Sequence, residues 1–145
     1  MFKSILVPTD GSDLSEKAAH GAVGLAKLTG GRIIAVSVAE PYPFTPMMEG
    51  AYMVDLTLYG EQTHKFAQMH VDKIAEIAAK AGIACETHVA QSFHPHEEII
   101  KAASEHHCDV ILMASHGRKG LNKLFLGSET QKVLAESTLP VMVFR

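Results

Sequence analysis

Two segments of the chain concentrate residue types that can meet a charged small molecule. Pro8-Thr9-Asp10-Gly11-Ser12 follows the apolar run Ile5-Leu6-Val7. Ala114-Ser115-His116-Gly117-Arg118-Lys119-Gly120 follows the apolar run Val110-Ile111-Leu112-Met113 and leads on to Gly127-Ser128. The second segment is the richer. Glycines let backbone N–H groups come close to an anion. A helix starting near Ser128 would add unsatisfied N–H donors and a partial positive charge. Arg118, Lys119 and Lys123 supply cationic side chains. Together these are the parts of a phosphate cradle. It is neither a Walker A loop, since no Gly-Lys-Ser/Thr occurs, nor the dinucleotide pattern GxGxxG. The residue types leave a plainer alternative open at each position. Ser128-x-x-Gln131 also spells a capping box that does nothing but start a helix. Gly117 and Gly120 could be ordinary turn glycines, and Asp10 could simply turn the chain.

The elements around these segments alternate between strand and helix. Ser12 or Asp13 can cap a helix whose apolar positions are Ala18, Ala19, Ala22, Val23 and Ala26, with Glu16 placed for a capping box and Gly30-Gly31 ending the helix. Ile33 to Val38 reads as the second strand. Residues 40–58, punctuated by Pro41, Pro43 and Pro46 and rich in Tyr, Phe and Met, form a connection long enough to suggest a lid or a partner surface. A long helix follows from about Leu58, with Phe66, Met69, Ile74, Ile77, Ala78 and Ala81 on its apolar face and Gly82 as its stop. Ile83–Ala90 reads as an edge strand. Pro95 opens the next helix, with Glu97 and Glu98 in its first turn. Val110–Met113 is apolar on both faces, as an internal strand would be. A helix over about 128–137, with Val133 and Leu134 inward, precedes the strand Val141–Phe144. The expected fold is one α/β domain over residues 1–145. Its core is a single open, doubly wound, five-stranded parallel sheet with helices on both faces and right-handed connections. Ligands in such sheets sit beyond the carboxyl ends of the strands, where the strand order reverses. If the first and fourth strands are neighbours, the two segments flank one crevice.

This arrangement resembles the universal stress protein family across essentially the whole chain. The opening Ile5-Leu6-Val7-Pro8-Thr9-Asp10-Gly11-Ser12 is similar to that family's first strand and loop. The family's nucleotide-binding branch carries a glycine, two residues, a second glycine, nine residues, then Gly-Ser or Gly-Thr. Here Gly117 is followed by Arg118 to Leu126 and then Gly127-Ser128. The resemblance implies an adenine nucleotide α-hydrolase-like, Rossmann-like fold. It also implies an ATP, ADP or AMP site, with Mg²⁺ as a companion. Pro8, Thr9 and Asp10 would meet adenine and ribose, Asp10 accepting from a hydroxyl or amine. Val38 would pack on the adenine. Met113 and Gly117 would line the crevice, and His116 would shape its loop. Gly127, Ser128 and the Glu129 backbone would hold phosphates. Two positions depart from the pattern. The motif's first glycine is Ala114, which is harmless at negative φ and strained at positive φ. Phe93-His94-Pro95 stands where the family often has Gly-x-Pro.

Other chemistry is less well supported. Nine histidines are present, but His94-x-His96 and His106-His107-Cys108 lack the spacing of a closed zinc site. No metal site is therefore expected, and solvated histidines are the default. Ser12, Asp13 and His20 share one helix start and make no catalytic triad. No arginine finger or second carboxylate is readable, so no catalytic residue is assigned and hydrolysis is expected to be slow or absent. A net charge of −3 gives no field to gather nucleic acid or an anionic membrane. Cys85 and Cys108, without CxxC spacing, read as free thiols of a cytoplasmic protein. The apolar strand Val141–Phe144 is an exposed edge of the kind that pairs, and the family resemblance implies a symmetric homodimer through it. The expected function is nucleotide-responsive regulation or protection. Competing functions are a universal stress protein acting through protein contacts without nucleotide, and an adenylating enzyme of the ATP pyrophosphatase group. The latter's Ser-Gly-Gly-x-Asp-Ser loop is missing from Pro8–Asp13.

Overall fold

A computed structural model describes residues 1–43, 56–117 and 126–145. Nine elements follow in the order β1 (Ser4–Pro8), α1 (Asp13–Thr29), β2 (Arg32–Ala39), α2 (Leu56–Lys80), β3 (Cys85–Gln91), α3 (Pro95–Glu105), β4 (Val110–Ala114), α4 (Ser128–Glu136) and β5 (Val141–Phe144). The strands form one sheet in the order β3-β2-β1-β4-β5. Every pairing is parallel, with Ile5 opposite Ile33 on one side and Val110 on the other.

The period-2 alternation of the strands divides the core. Ile5, Val7, Ile33, Ala35, Val110 and Leu112 face α1 and α2. Leu6, Ile34, Val36, Ile111 and Met113 face α3 and α4. Helices therefore cover both faces, which is why the central strands are apolar throughout. Burying each of the large aliphatic side chains contributes about 1.5–3 kcal/mol. The inner pair β1–β4 is stitched at its start by Asp109. Its carboxylate accepts from the N–H groups of Lys3 (3.0 Å) and Ser4 (3.1 Å), and its own N–H donates to the Ser4 carbonyl at 2.9 Å.

Several local expectations hold. Ala18, Ala19, Ala22, Val23 and Ala26 form the buried face of α1, and Gly30 caps it in the left-handed region at φ 65°. Gly82, at φ 71°, follows α2. β3 lies at one edge of the sheet and β5 at the other. Phe144 packs its ring over Gly21, where any side chain would collide with it.

Other expectations need correction. Phe66 and Met69 are 56% and 55% exposed. The face of α2 that meets the sheet is Ala67, Val71, Ile74 and Ala78, an i, i+4, i+7, i+11 stripe of small and β-branched residues that lets the helix lie close. In α4, Val133 is fully buried but Leu134 is turned outward. β3 starts at Cys85 rather than Ile83, whose side chain packs partly against the α2 side of the core. Phe44 to Tyr52 and Met53, from the Met- and aromatic-rich connection, lie outside the described residues. Its two flanks do meet: the rings of Tyr42 and Tyr59 stand edge to face at 5.1 Å.

Candidate functional site

The strand order places the reversal between β1 and β4. The loops leaving those strands face each other there, as the sequence anticipates. The β1 loop is fixed by its own side chains. Thr9 donates its N–H to the Val36 carbonyl (2.8 Å), and its buried Oγ1 lies 3.0 Å from Ser15 Oγ and accepts from Gly11 N–H at 3.1 Å. The Thr9 N–H and hydroxyl therefore both serve the sheet and the loop. Asp10 Oδ1 accepts from Ser12 N–H at 3.1 Å, an Asx turn. Ser12 is the N-cap of α1, its side chain accepting from Ser15 N–H at 3.3 Å. The expected capping box with Glu16 does not form: with Ser12 as the cap, the third helical position is Ser15, and the Glu16 carboxylate pairs with Lys73 at 2.6 Å. Hydrogen bonding and attraction to Glu16 raise the Lys73 ammonium pKa above its ordinary value.

The β4 loop closes against it. A methyl placed on Gly117 would lie 2.5 Å from Asp10 Oδ2, so a larger residue there would have to displace the Asp10 carboxylate. His116 Nδ1 is 3.0 Å from Ser115 Oγ, in keeping with a loop-shaping part. Ala114 is the last residue of β4, opposite Phe144, and it is not among the positive-φ residues, so its methyl group is accommodated. Its carbonyl accepts from Thr130 Oγ1 at 3.0 Å.

The chain returns to this loop at the start of α4. Gly127 N–H donates to the Ser115 carbonyl at 2.7 Å, and a methyl on Gly127 would stand 3.2 Å from His116 Cα. Gly127, not Ser128, is the N-cap, and no side chain caps the helix. The capping-box alternative for Ser128 therefore fails: Ser128 is the first helical residue, and Gln131 turns back to donate to the Leu126 carbonyl at 2.7 Å. Among the described residues, nothing accepts from the N–H groups of Ser128, Glu129 and Thr130. Open N–H donors at the positive end of a helix are an arrangement that can receive an anion.

The remaining expected residues divide between the two sides of this seam. Met113 lies in the core cluster under α3 and α4, and Pro8 and half-buried Val38 share its face by alternation along their strands. A cavity of about 420 Å³ opens on the α1 side, lined by Ser12, Asp13, Lys17, Ser115, His116 and Arg145 among others. Lys17 and Arg145 are not singled out by the sequence, and Ser115 only as part of the β4 segment. Lys17, one turn into a helix that starts at the crevice, carried a local signal. Arg118 lies outside the described residues, as do Lys119, Gly120 and Lys123.

The histidines are not all solvated. His96 is 6% exposed, and its backbone N–H and ring Nδ1 both lie 2.9 Å from Glu129 Oε2. Glu129 Oε1 pairs with Lys132 at 3.0 Å. Burial pushes the Glu129 carboxyl upward, but the bonds from His96 and Lys132 outweigh it and hold the group below the usual carboxylate range. Neither cysteine is disulfide-bonded, and burial raises both thiol pKa values.

Comparison with known proteins settles the family. A sequence model of the Universal stress protein family matches residues 1–145. The chain belongs to that family. A universal stress protein of Thermus aquaticus is 34% identical over 146 residues, covering all of both chains. The solved structure of the universal stress protein MJ0577 of Methanocaldococcus jannaschii superposes with a TM-score of 0.83 at 28% identity, over 99% of this chain and 96% of that one. More distant universal stress proteins share the fold. One, solved in complex with cAMP, has a TM-score of 0.70 at 20% identity over 99% and 97% of the two chains. Another, from Archaeoglobus fulgidus, was solved in complex with dAMP and has a TM-score of 0.67 at 20% identity over the full length of both. Among the described residues of this universal stress protein, no helix is long and apolar enough to cross a membrane.

Proposed function

We propose that this universal stress protein domain binds an adenine nucleotide in the β1–β4 crevice and acts through occupancy rather than turnover. The observation that carries the proposal is the start of α4, packed against the β4 loop through a glycine and opening with three N–H donors that no described residue claims. Pro8, Thr9, Asp10 and Val38 would receive the base and sugar. Met113, Ala114, His116 and Gly117 would form the facing wall. Gly127, Ser128 and Glu129 would receive the phosphates, with Arg118 adding charge. The cAMP and dAMP complexes of distant relatives support adenine as the base. Asp10 Oδ1 is already engaged by Ser12, so Mg²⁺ would arrive mainly on the phosphates of ATP. β5 has a sheet neighbour on one side only, which supports a homodimer pairing Val141–Phe144 of two copies. Two unpaired thiols fit a cytoplasmic protein.

The test is to denature fresh protein, identify any released nucleotide, and titrate the stripped sample with ATP while measuring its mass at micromolar concentration. Stoichiometric adenine nucleotide, rebinding and a dimeric mass are expected, with hydrolysis well below about 1 per second. No binding at millimolar ATP would overturn the site, and a monomeric mass would overturn the edge pairing.

A further inference from the structure

His96 is the one buried histidine among the described residues, and nothing proposed so far uses it. It lies in the first turn of α3, one residue after Pro95. Its partner Glu129 lies in the first turn of α4, 33 positions away in sequence. A carboxylate oxygen only accepts, so the ring proton sits on Nδ1 and points at Glu129. Nε2 then faces Glu97 Oε1 and Glu136 Oε1, each at 3.9 Å. The other charged or titratable groups around the ring are Lys132, on the far oxygen of Glu129, and His94, whose ring centroid is 6.1 Å away.

Glu129 is awkwardly placed for a phosphate site. Its backbone N–H is one of the three donors at the start of α4, yet its side chain brings a negative charge to the same turn. That charge competes with an incoming anion for the helix's positive end. Two features reduce the conflict. The two hydrogen bonds from His96 draw the carboxylate onto α3. A proton on Nε2 also places a positive charge against it, whereas a neutral ring leaves only Lys132 to compensate.

We propose that His96 is a positioning residue for the phosphate end of the site, holding Glu129 aside and setting, by its charge, how strongly the site prefers a triphosphate over a monophosphate. The inference rests on the nucleotide proposal above. Imidazoles ordinarily change charge between about pH 5 and 8, so the preference should be pH-dependent. One charge at a helix start changes an anion's affinity by about two- to fivefold.

The experiment is calorimetric titration of the full chain with ATP and with AMP at pH 6 and pH 8.5, for wild type, His96→Asn and Glu129→Gln. Asn places an amide N–H where Nδ1 stands but cannot take a second proton. Gln keeps an acceptor for both His96 bonds and removes the charge, so it guards against a His96 variant that fails to fold. The nucleotide's own protonation enters all three proteins alike, so the differences between proteins carry the answer. The wild-type ATP-to-AMP affinity ratio should fall about two- to fivefold more between the two pH values than that of His96→Asn. Glu129→Gln should keep the high ratio at pH 8.5, and His96→Asn should show the low ratio already at pH 6. Equal ratios in all three proteins would overturn the role of His96 while leaving the nucleotide site intact. Absence of binding by wild type at either pH would remove both.

Discussion

Two helices open onto the same crevice, and their first turns are completed in opposite ways. At α1, Ser12 caps the helix, Asp10 takes the Ser12 N–H, and Thr9 and Ser15 join hydroxyls beneath the loop. At α4, the cap position is a glycine and no side chain reaches the helix start. Both have acidic residues in the first turn, yet Glu16 is drawn away to Lys73 and Glu129 to His96. A helix start that satisfies its own donors is scaffold. One whose donors no described residue claims, beside a glycine packed close to the β4 loop, is where the proposed ligand would complete the turn.

The sharpest way to break this contrast is Gly127→Val. The added carbons would press on His116 Cα and move the helix start from the β4 loop. Losing about two charge-assisted hydrogen bonds at 1.5–3 kcal/mol each should weaken ATP by roughly a hundredfold to ten-thousandfold, measured by calorimetry on protein that still melts cooperatively. Unchanged affinity would mean that α4 is not the phosphate seat. Ser12→Ala should do the reverse. It should cost about 1 kcal/mol of stability, lowering Tm by about 2–4 °C, with ATP affinity little changed. If it weakened ATP as much as Gly127→Val, the two helix starts would be sharing the ligand.

The smallest effect expected is a difference on acidification. Glu129 has its pKa lowered in the fold, so its contribution is fully present above the unfolded carboxyl value of about 4.3 and is lost as pH falls through the folded value. The Ser12 cap does not titrate. In an acid titration followed by NMR, the His96 amide should shift as Glu129 takes up its proton, and Glu129→Gln should remove that step.

Much of this architecture is legible in the sequence, because it is written in local signals. Gly30 and Gly82 stop helices, Pro95 starts one, and apolar runs mark the internal strands. The two crevice segments stand out because each follows such a run with glycines and hydroxyls. What was not legible depends on distance or on close packing. The face of α2 was assigned from its large apolar residues, but the sheet admits the helix only along Ala67, Val71, Ile74 and Ala78, leaving Phe66 and Met69 outside. His96, next to Glu97 and Glu98, looks like part of a solvated surface. Its burial follows from a partner on another helix. The Ser128-x-x-Gln131 pattern satisfies the capping-box rule, yet the chain reaches the helix one residue earlier, because Gly127 is held to the Ser115 carbonyl. The closeness of Asp10 and Gly117 depends on β1 pairing with β4, which no periodicity reveals.

That pairing also has a consequence in time. β1, β2 and β3 come from the first 91 residues, while β4, which covers the other side of β1, comes much later. At about 5–20 residues per second, synthesis needs roughly 4–14 s to travel from the end of β2 to the start of β4. Until then β1 has an open edge, and the Lys3 and Ser4 amides lack the Asp109 carboxylate that later gathers them. The crevice is thus a seam between an early half of the molecule and a late one. A ligand held there could not help the first half to fold, and its binding would mark chains whose synthesis and closure are complete.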